Sequence, residues 1–391
     1  MQALVSIEAL AGVNVCDDAA VLGGGAARLL DIAAIIDAFG VGAAARRAHQ
    51  CEGQDRREQR AAGDGQDAHA LAANMLRLGR ASFALDLGLS RSHATMRGMP
   101  SAIVLCAGFG TRLRPLTDEL PKPLVPVGDR SILEHALGRL GAAGFREVAV
   151  NVHHLAELFE RTIAHLAMRV RVVVEPEIRG TAGGVAGARA LLGSDPVLVW
   201  NGDILVDPPL DQLVAGTAPH SFCFGVAPRG LGEGTVGLDE AGHVVRLRGE
   251  RFGREARGGD YVGVLALGGA VRDSLPEHGC LFSDGVLPLL RQGGVVTSAL
   301  VTEPWTDAGD LGSLLRANLA WLAARGASAF VADSAEVPAS VTLRQSVVGA
   351  GARVLGQGLL ERCVVCPGAI ATAPLCDAIV APSGRVISAH V

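Results

Sequence analysis

Lysine and tyrosine are almost missing from this sequence: one lysine stands among 35 basic side chains, and there is a single tyrosine in 391 residues. Basic side chains do not outnumber acidic ones, 35 against 40, so no cationic excess is available to follow a nucleic-acid backbone. No uninterrupted apolar run reaches the roughly 18 residues that a membrane-spanning helix needs. The N-terminus lacks the basic and apolar segments of a secretory signal, so a reducing, cytoplasmic setting is expected for the eight cysteines. Cys363 and Cys366 form a C-x-x-C, but a zinc site needs a second pair and only Cys376 lies near, so they read as strand side chains. What is present is a chain with 49% hydrophobic and 19% charged residues, long enough for two or three folded units. These absences leave chemistry on small molecules as the expectation, with no nucleic acid and no membrane as partner.

Residues 1–98 contain no proline, tyrosine, tryptophan or lysine, whereas the remainder holds all 18 prolines. Residues 46–66 show no apolar period that packs as a helix or strand. Residues 1–98 are therefore expected to be disordered, or an over-extended reading frame in which the coherent fold starts at Met99. The glycine turn at 22–30 lacks the lysine of a phosphate loop and is read as low complexity.

From Ala102 the pattern changes. Strands are expected at 102–107, 147–152, 171–175 and 197–201, and helices at 132–140, 155–166 and 185–192, the first and last of these ending at Gly141 and Gly193. This alternation predicts an α/β fold, a mostly parallel sheet with helices on both faces and ligands beyond the carboxyl ends of the strands. Strand-like pieces at 222–226, 243–247 and 261–267 read as a lid or substrate half, and a helix at 311–324 closes a catalytic unit spanning 99–330. From 337 onward small and aliphatic residues recur about every six positions, which suggests turns of a parallel β-helix over 335–391, with a plain β-rich tail as the alternative.

The strongest local signal is AIVLCAGFGTRLRPLTDELPKPLVPVG, residues 102–128. Gly108 and Gly110 let backbone N–H groups approach an anion and Thr111 adds a hydroxyl, the chemistry of a phosphate cradle. Arg112 offers a planar donor fork, and Lys122, the sole lysine, is held between Pro121 and Pro123. A dinucleotide fingerprint fails because Leu113 stands where the third glycine belongs, which disfavours an oxidoreductase, and a P-loop fails for want of Gly-Lys-Ser/Thr. No G-x-S-x-G elbow supports a hydrolase.

The whole stretch resembles the signature of the sugar-1-phosphate nucleotidylyltransferases, G-x-G-T-R-L-x-P-L-T followed by P-K-P-L-x-P-V. That family includes mannose-1-phosphate guanylyltransferases, glucose-1-phosphate thymidylyl- and uridylyltransferases and N-acetylmuramate-1-phosphate uridylyltransferases. The resemblance implies a Rossmann-like fold of the nucleotide-diphospho-sugar transferase type, with a short C-terminal left-handed β-helix-like tail. It implies a reaction in which a sugar-1-phosphate oxygen attacks the α-phosphorus of a nucleoside triphosphate and pyrophosphate leaves. Residue by residue, it places Leu105, Ala107, Gly108, Gly110 and Thr111 against the nucleotide and gives Arg112 and Lys122 the catalytic roles. Asp203, at the end of the apolar run 197–200 and after Gly202, matches the family's metal-binding aspartate, with Gly202 beside the nucleotide. Asp307, in a segment like the family's W-x-D-x-G, completes a Mg²⁺ site; its other reading is turn chemistry ahead of the helix that Asp310 caps. Gly180, Thr181 and Gly183 match the turn that reads the base.

The sugar-phosphate side departs from the family. Its E-K-P step corresponds here to Glu250-Arg251-Phe252, followed by Gly263 on the next strand. Glu250, Arg251 and Gly263 are taken as the acceptor site, with Arg248 and Arg254 competing for the cationic role. That departure motivates a rival reading, a non-catalytic regulatory protein that binds nucleotide sugars. Asp207 reads as a turn or cap residue, and His153 and His154 as loop or surface residues. The sugar and the base both stay open at this point, and a homo-oligomer through the tail is an expectation carried by the resemblance.

Overall fold

Ser101–Leu105 (β1), its middle three residues fully buried, forms the centre of a ten-stranded sheet. Ile132–Ala142 (α1) leads to Glu147–Val152 (β2), which pairs parallel with β1. Ala156–Ile163 (α2) leads to Arg169–Val174 (β3), parallel to β2. Gly180–Gly187 (α3) then brings Val197–Asn201 (β4) to the opposite side of β1, again parallel. The strand order reverses between β1 and β4, so the loops leaving their carboxyl ends diverge and open a crevice there. The computed structural model describes residues 101–193 and 196–389; the expectations for residues 1–98 and for the glycine turn at 22–30 lie outside them.

Local chemistry sets the element ends. Ser131 caps α1 in a reciprocal box, accepting from the Glu134 amide at 3.2 Å while the Glu134 carboxylate accepts from the Ser131 amide at 2.8 Å. The helix runs past Gly141 to Ala142 and stops at Gly144, whose φ of +95° suits glycine. The third helix starts at Gly180, five residues earlier than the periodicity suggests, because its glycines carry little helix propensity of their own and are held by tertiary contacts.

The segments expected as a separate substrate half continue the same sheet instead. Phe222–Arg229 (β5), Val236–Leu238 (β6), Val244–Leu247 (β7) and Glu250–Arg251 (β8) precede Arg257–Leu267 (β9), which lies antiparallel to both β4 and β5. Val262 and Val264 to Leu267 are all fully buried, so β9 is covered on both faces and sits as an inner strand rather than a lid. Val296–Leu300 (β10) runs parallel to β5.

Leu311–Ala323 (α4) begins at Asp310, whose carboxylate accepts from the Ser313 amide at 2.8 Å. Beyond it Ala329–Val331 (β11), Val341–Arg344 (β12), Ser346–Val348 (β13), Arg353–Val365 (β14), Ile370–Val380 (β15) and Val386–Ser388 (β16) make a six-stranded sheet. Most of its strands pair in parallel, Ala329 with Ser346, Val341 with Gly358 and Arg353 with Ile370, whereas β16 lies antiparallel to β15. One apolar cluster joins this sheet to the loop that follows β1: Leu113, Leu116, Val125 and Val127 share it with Val354, Cys366 and Ile379. Leu113 and Leu116 are fully buried in it, each worth about 1.5–3 kcal/mol of apolar burial. At the rim the Ser383 amide and hydroxyl donate to the Glu119 carboxylate at 2.8 and 2.7 Å. Among the described residues no helix is long and apolar enough to cross a membrane.

Candidate active site

The chain leaving β1 turns at once. The Cys106 amide donates to the Asn151 side-chain oxygen at 2.9 Å, which pins the loop to the end of β2. Gly110 takes the left-handed conformation, φ 60° and ψ 33°, and heads a 3₁₀ turn at Thr111–Leu113. A β-carbon on Gly110 would lie 3.0 Å from Thr117 Cγ2 and 3.1 Å from Lys122 Cβ. The glycine is thus required both for its backbone angle and for room. Thr117 closes the loop by donating to the Gly110 carbonyl at 2.9 Å. Thr111 and Arg112 stand exposed on this turn.

Two acids converge on the lysine. Lys122 is buried, and its Nζ lies 2.7 Å from Asp203 Oδ2 and 3.5 Å from Asp307 Oδ1. The pairing of the acids follows from a two-residue ribbon in which Ile204 faces Asp307 and Leu205 faces Thr306 antiparallel, extended by the Ala308 amide donating to the Asp203 carbonyl at 3.1 Å. Arg112 reaches the same cluster from outside, 4.0 Å from Asp307 Oδ2, with its guanidinium over Gly309. Gly202 fixes the height of Asp203: its amide donates to the Leu105 carbonyl at 2.9 Å, and a β-carbon there would lie 2.6 Å from Cys106 Sγ. Burial first, and then the Asp203 charge, push the Cys106 thiol well above its ordinary value, so it stays protonated and chemically quiet.

The facing wall is the first turn of α3. Gly180, at φ +77°, and Gly183 have no room for a side chain, since β-carbons would lie 2.3 Å from the Gly279 carbonyl and 2.4 Å from the Glu277 carbonyl. Gly180 and Thr181 line the cavity, whereas Gly183 is packed on the 277–279 backbone. Below them Asn151 donates to Glu175 at 2.8 Å, and the other Glu175 oxygen accepts from the Arg179 amide at 3.2 Å. Both side chains are buried, and each polar atom in this bridge has a partner.

The cavity enclosed by these elements has a volume of about 240 Å³. Of the residues expected from sequence, Leu105, Ala107, Gly108, Gly110, Lys122, Gly180, Thr181 and Asp203 line it. Cys106, Pro123, Asn151 and Asn201 line it too and were not anticipated. The signal for the asparagines was available: each is a polar residue near the carboxyl end of an otherwise apolar strand, EVAVNV and VLVWN. Glu250 and Arg251 do not reach the cavity. Glu250 pairs with Arg291 at 3.0 Å, and Arg251 is an exposed side chain 4.0 Å from Glu255, because the β7–β8 hairpin carries them on the outer edge of the sheet. Gly263 is closer, at φ +79°, where a β-carbon would lie 2.5 Å from Ile204 and 3.4 Å from Asn201 Nδ2. Asp207 pairs with Arg139 at 3.0 Å, and His153 holds the Glu175 carbonyl at 2.8 Å. A carbonyl only accepts, so the His153 proton sits on Nδ1.

The donor set suits a hard divalent cation. Asp203 and Asp307 present carboxylate oxygens side by side at a solvent-facing cluster already organised around a cation, the Lys122 ammonium. Mg²⁺ takes one or two such carboxylates together with phosphate oxygens, and Asp203 and Asp307 are the residues of this cluster that would hold it.

Residues 101–247 match the family model described as Nucleotidyl transferase. The chain is 38% identical over 116 residues to the mannose-1-phosphate guanylyltransferase of Mycobacterium tuberculosis, covering 29% of this chain and 32% of that one. It is 44% identical over 110 residues to the N-acetylmuramate alpha-1-phosphate uridylyltransferase of Neisseria meningitidis serogroup B, covering 27% and 48%. For the protein of the same name from Caulobacter vibrioides the figures are 45% over 111 residues, covering 26% and 45%. The chain thus spans less than half the length of each of these relatives. A solved structure of HddC from Yersinia pseudotuberculosis complexed with GMP-PN aligns with 57% of this chain and 100% of its own, at 19% identity and a TM-score of 0.49.

Proposed function

We propose that residues 101–247, which match the Nucleotidyl transferase model, form a domain of the sugar-1-phosphate nucleotidylyltransferase family, and that the chain transfers a nucleotidyl group from a nucleoside triphosphate to a sugar 1-phosphate, with Mg²⁺, releasing pyrophosphate. The observation that carries this reading is the convergence of Lys122, Asp203, Asp307 and Arg112 at the open end of the glycine cradle.

The triphosphate lies along the loop from Gly108 to Thr111, where backbone N–H groups and the Thr111 hydroxyl face its oxygens. Negative charge accumulates on the α-phosphoryl group and on the departing pyrophosphate as the acceptor oxygen attacks. Lys122, desolvated and fixed by Asp203, meets that charge without having to reorganise, and preorganisation of this kind is what makes a buried cation effective. Arg112, exposed and only loosely tied to Asp307, is free to swing its fork onto the leaving phosphates. Asp203 and Asp307 would hold the metal, which supplies Lewis-acid stabilisation of the same oxygens when bound. The acceptor brings its own nucleophile, an ionised phosphate oxygen, so no protein nucleophile or general base is needed.

The test is pyrophosphate release by the full chain with Mg²⁺, each nucleoside triphosphate in turn, and a panel of mannose, glucose, N-acetylglucosamine and N-acetylmuramate 1-phosphates. Release that needs both substrates is expected. Silence across the panel from a folded protein that still binds nucleotide would favour the regulatory reading, which draws its support from the outward placement of Glu250 and Arg251.

A further inference from the structure

Two asparagines stand at the ends of the strands that flank β1, and they are used differently. Asn151 lies next to the end of β2, Asn201 is the last residue of β4, and both line the cavity. Asn151 is committed to the fold: its oxygen accepts from the Cys106 amide at 2.9 Å and its nitrogen donates to Glu175 at 2.8 Å. Among the described residues no hydrogen bond engages the Asn201 side chain. Its neighbours explain why. On one side Asn201 is in register with Leu105 of β1, and on the other it faces Gly263 of β9, one position past the Trp200–Val264 pair at which β4 and β9 stop pairing. Neither neighbour carries a polar side chain. Gly263 takes φ +79° inside a shift of register between β9 and β5, and a β-carbon there would lie 3.4 Å from Asn201 Nδ2. A glycine within a strand marks a bulge or a point where a ligand comes close, and bulges gather beside active sites. The strands part at this pair and leave the carboxamide uncovered.

Val197 to Trp200, which lead up to Asn201, are fully buried. A carboxamide that ends such a run forfeits hydrogen bonds unless a partner from outside the chain supplies them. The side of the cavity on which it stands says which partner. The Gly180–Thr181 wall lies over β1 and β2, since a β-carbon on Gly184 of the same helix would fall 2.5 Å from Asn151 Nδ2 and 3.1 Å from Leu105 Cδ2. Asn201 lies across β1 from that wall, toward β9. Asp203 follows it by two residues, and the Gly202 amide between them is tied to the Leu105 carbonyl at 2.9 Å, which fixes the spacing of the two side chains. Asn201 is thus next to the acids, on the side away from the wall assigned to the nucleotide.

We infer that Asn201 binds the substituent on carbon 2 of the acceptor sugar and sets the choice among sugar 1-phosphates that differ there; this rests on the transfer reading above. The attacking phosphate belongs beside Lys122 and Asp203. Carbon 2 adjoins the carbon that bears this phosphate, so its substituent is the first variable polar group beyond the acids. A carboxamide donates and accepts at once, which matches a hydroxyl or an acetamido group in that place. A site built to hydrogen-bond such a group rejects the analogue without it, because the protein's own polar atoms are then left without partners.

Mannose, glucose, 2-deoxyglucose and N-acetylglucosamine 1-phosphates differ only at carbon 2, and 6-deoxyglucose 1-phosphate is a control altered elsewhere. Their binding to the full chain is measured by calorimetry, with Mg²⁺ and the α,β-methylene analogue of each nucleoside triphosphate in turn, which resists release of pyrophosphate. The wild type is compared with Asn201→Ala and with Asn201→Leu, which keeps the volume, and melting temperatures establish that each variant is folded. The wild type is expected to hold its best carbon-2 form at least about tenfold more tightly than 2-deoxyglucose 1-phosphate, the difference that about 1.4 kcal/mol produces. In both variants that ratio falls toward one, while the ratio of glucose to 6-deoxyglucose 1-phosphate stays as in the wild type. An unchanged carbon-2 ratio in Asn201→Ala overturns the inference, as does an equal weakening of all the sugars, which would put Asn201 on the shared phosphate. Pyrophosphate release measured with the same sugars and the ordinary triphosphates separates the two levels. A carbon-2 preference in binding without release sinks the transfer reading and leaves the role of Asn201, whereas release that is indifferent to carbon 2 sinks only the role of Asn201.

Discussion

Lys122 and Asp203, 81 residues apart in sequence, meet at 2.7 Å because a glycine turn brings one down onto the strand end that presents the other. The contact joins the anion cradle to the acid pair and is the hinge of the chemistry proposed for this chain. Replacing Asp203 with Asn keeps the shape and removes the charge. Turnover in the pyrophosphate assay is expected to fall by about 10²–10³-fold or more, comparable to losing one preorganised electrostatic contact in a transition state. The melting temperature should stay near that of the wild type, and Asp203→Asn turnover within threefold of wild type would rule out the assignment.

Gly202→Ala tests the packing beneath that contact. The added methyl meets Cys106 Sγ at 2.6 Å and the Leu105 carbonyl at 2.8 Å, so the strand end must move. Overpacking of this kind costs about 1–3 kcal/mol, read by urea denaturation. Turnover at saturating substrate should drop even at temperatures where the variant is fully folded, because Asp203 is displaced.

Asn151→Leu removes the bridge between the loop and β3. It leaves one oxygen of the buried Glu175 carboxylate short of a partner, and the Cys106 amide keeps only its 3.2 Å bond to the backbone carbonyl of residue 151. An unsatisfied buried group costs about 1–3 kcal/mol, more where charge is involved, so this variant should be clearly less stable than the wild type. A urea midpoint equal to the wild type would show that the bridge carries no weight.

His135 gives the fold a pH dependence of known sign. Burial is the leading cause that lowers its pKa below 6.5, opposed by the hydrogen bond to the Val127 carbonyl and by Asp129, with Arg130 and Arg325 adding to the lowering. The unfolded chain therefore takes up the proton first as pH falls. The stabilising contribution is complete above about pH 6.5 and is lost as pH drops through the lower folded value. His135→Gln keeps an N–H donor for Val127 and removes the titration. Its melting temperature should decline less than that of the wild type between about pH 7 and 5.5, and parallel curves would exclude His135 as a source of the effect.

Much of the fold was legible where one physical rule dominates. The strands at 147–152 and 197–201 end where expected because buried, β-branched runs bounded by turns admit few alternatives. Helix α3 was placed late because four of its eight residues are glycine, and only the 277–279 backbone against which they lie explains a helix there. The strands from 222 to 267 were read as a separate half because connectivity across a sheet leaves no local mark. In the site the cluster of charges was legible through residue type and place: Lys122 as the sole lysine, Asp203 at a strand end and Asp307 in the turn ahead of a helix. Arg251 was taken for the acceptor site from its place in the Glu250-Arg251-Phe252 step; the structure carries it exposed beside Glu255, on a hairpin whose turn at Arg248 and Gly249 depends on backbone angles that a sequence does not display.

The apolar floor under the Gly108–Lys122 loop has a bearing on the timing of synthesis. Glu119 waits 264 residues for Ser383, and Leu113 and Leu116 wait about as long for Ile379. A ribosome finishes every residue of the cavity well before it makes the surface on which the loop rests. Nascent chains therefore carry the parts of the site without the support that shapes them. Their affinity for triphosphate should emerge late and abruptly, with the last strands of the C-terminal sheet, rather than growing as the first sheet accumulates strands.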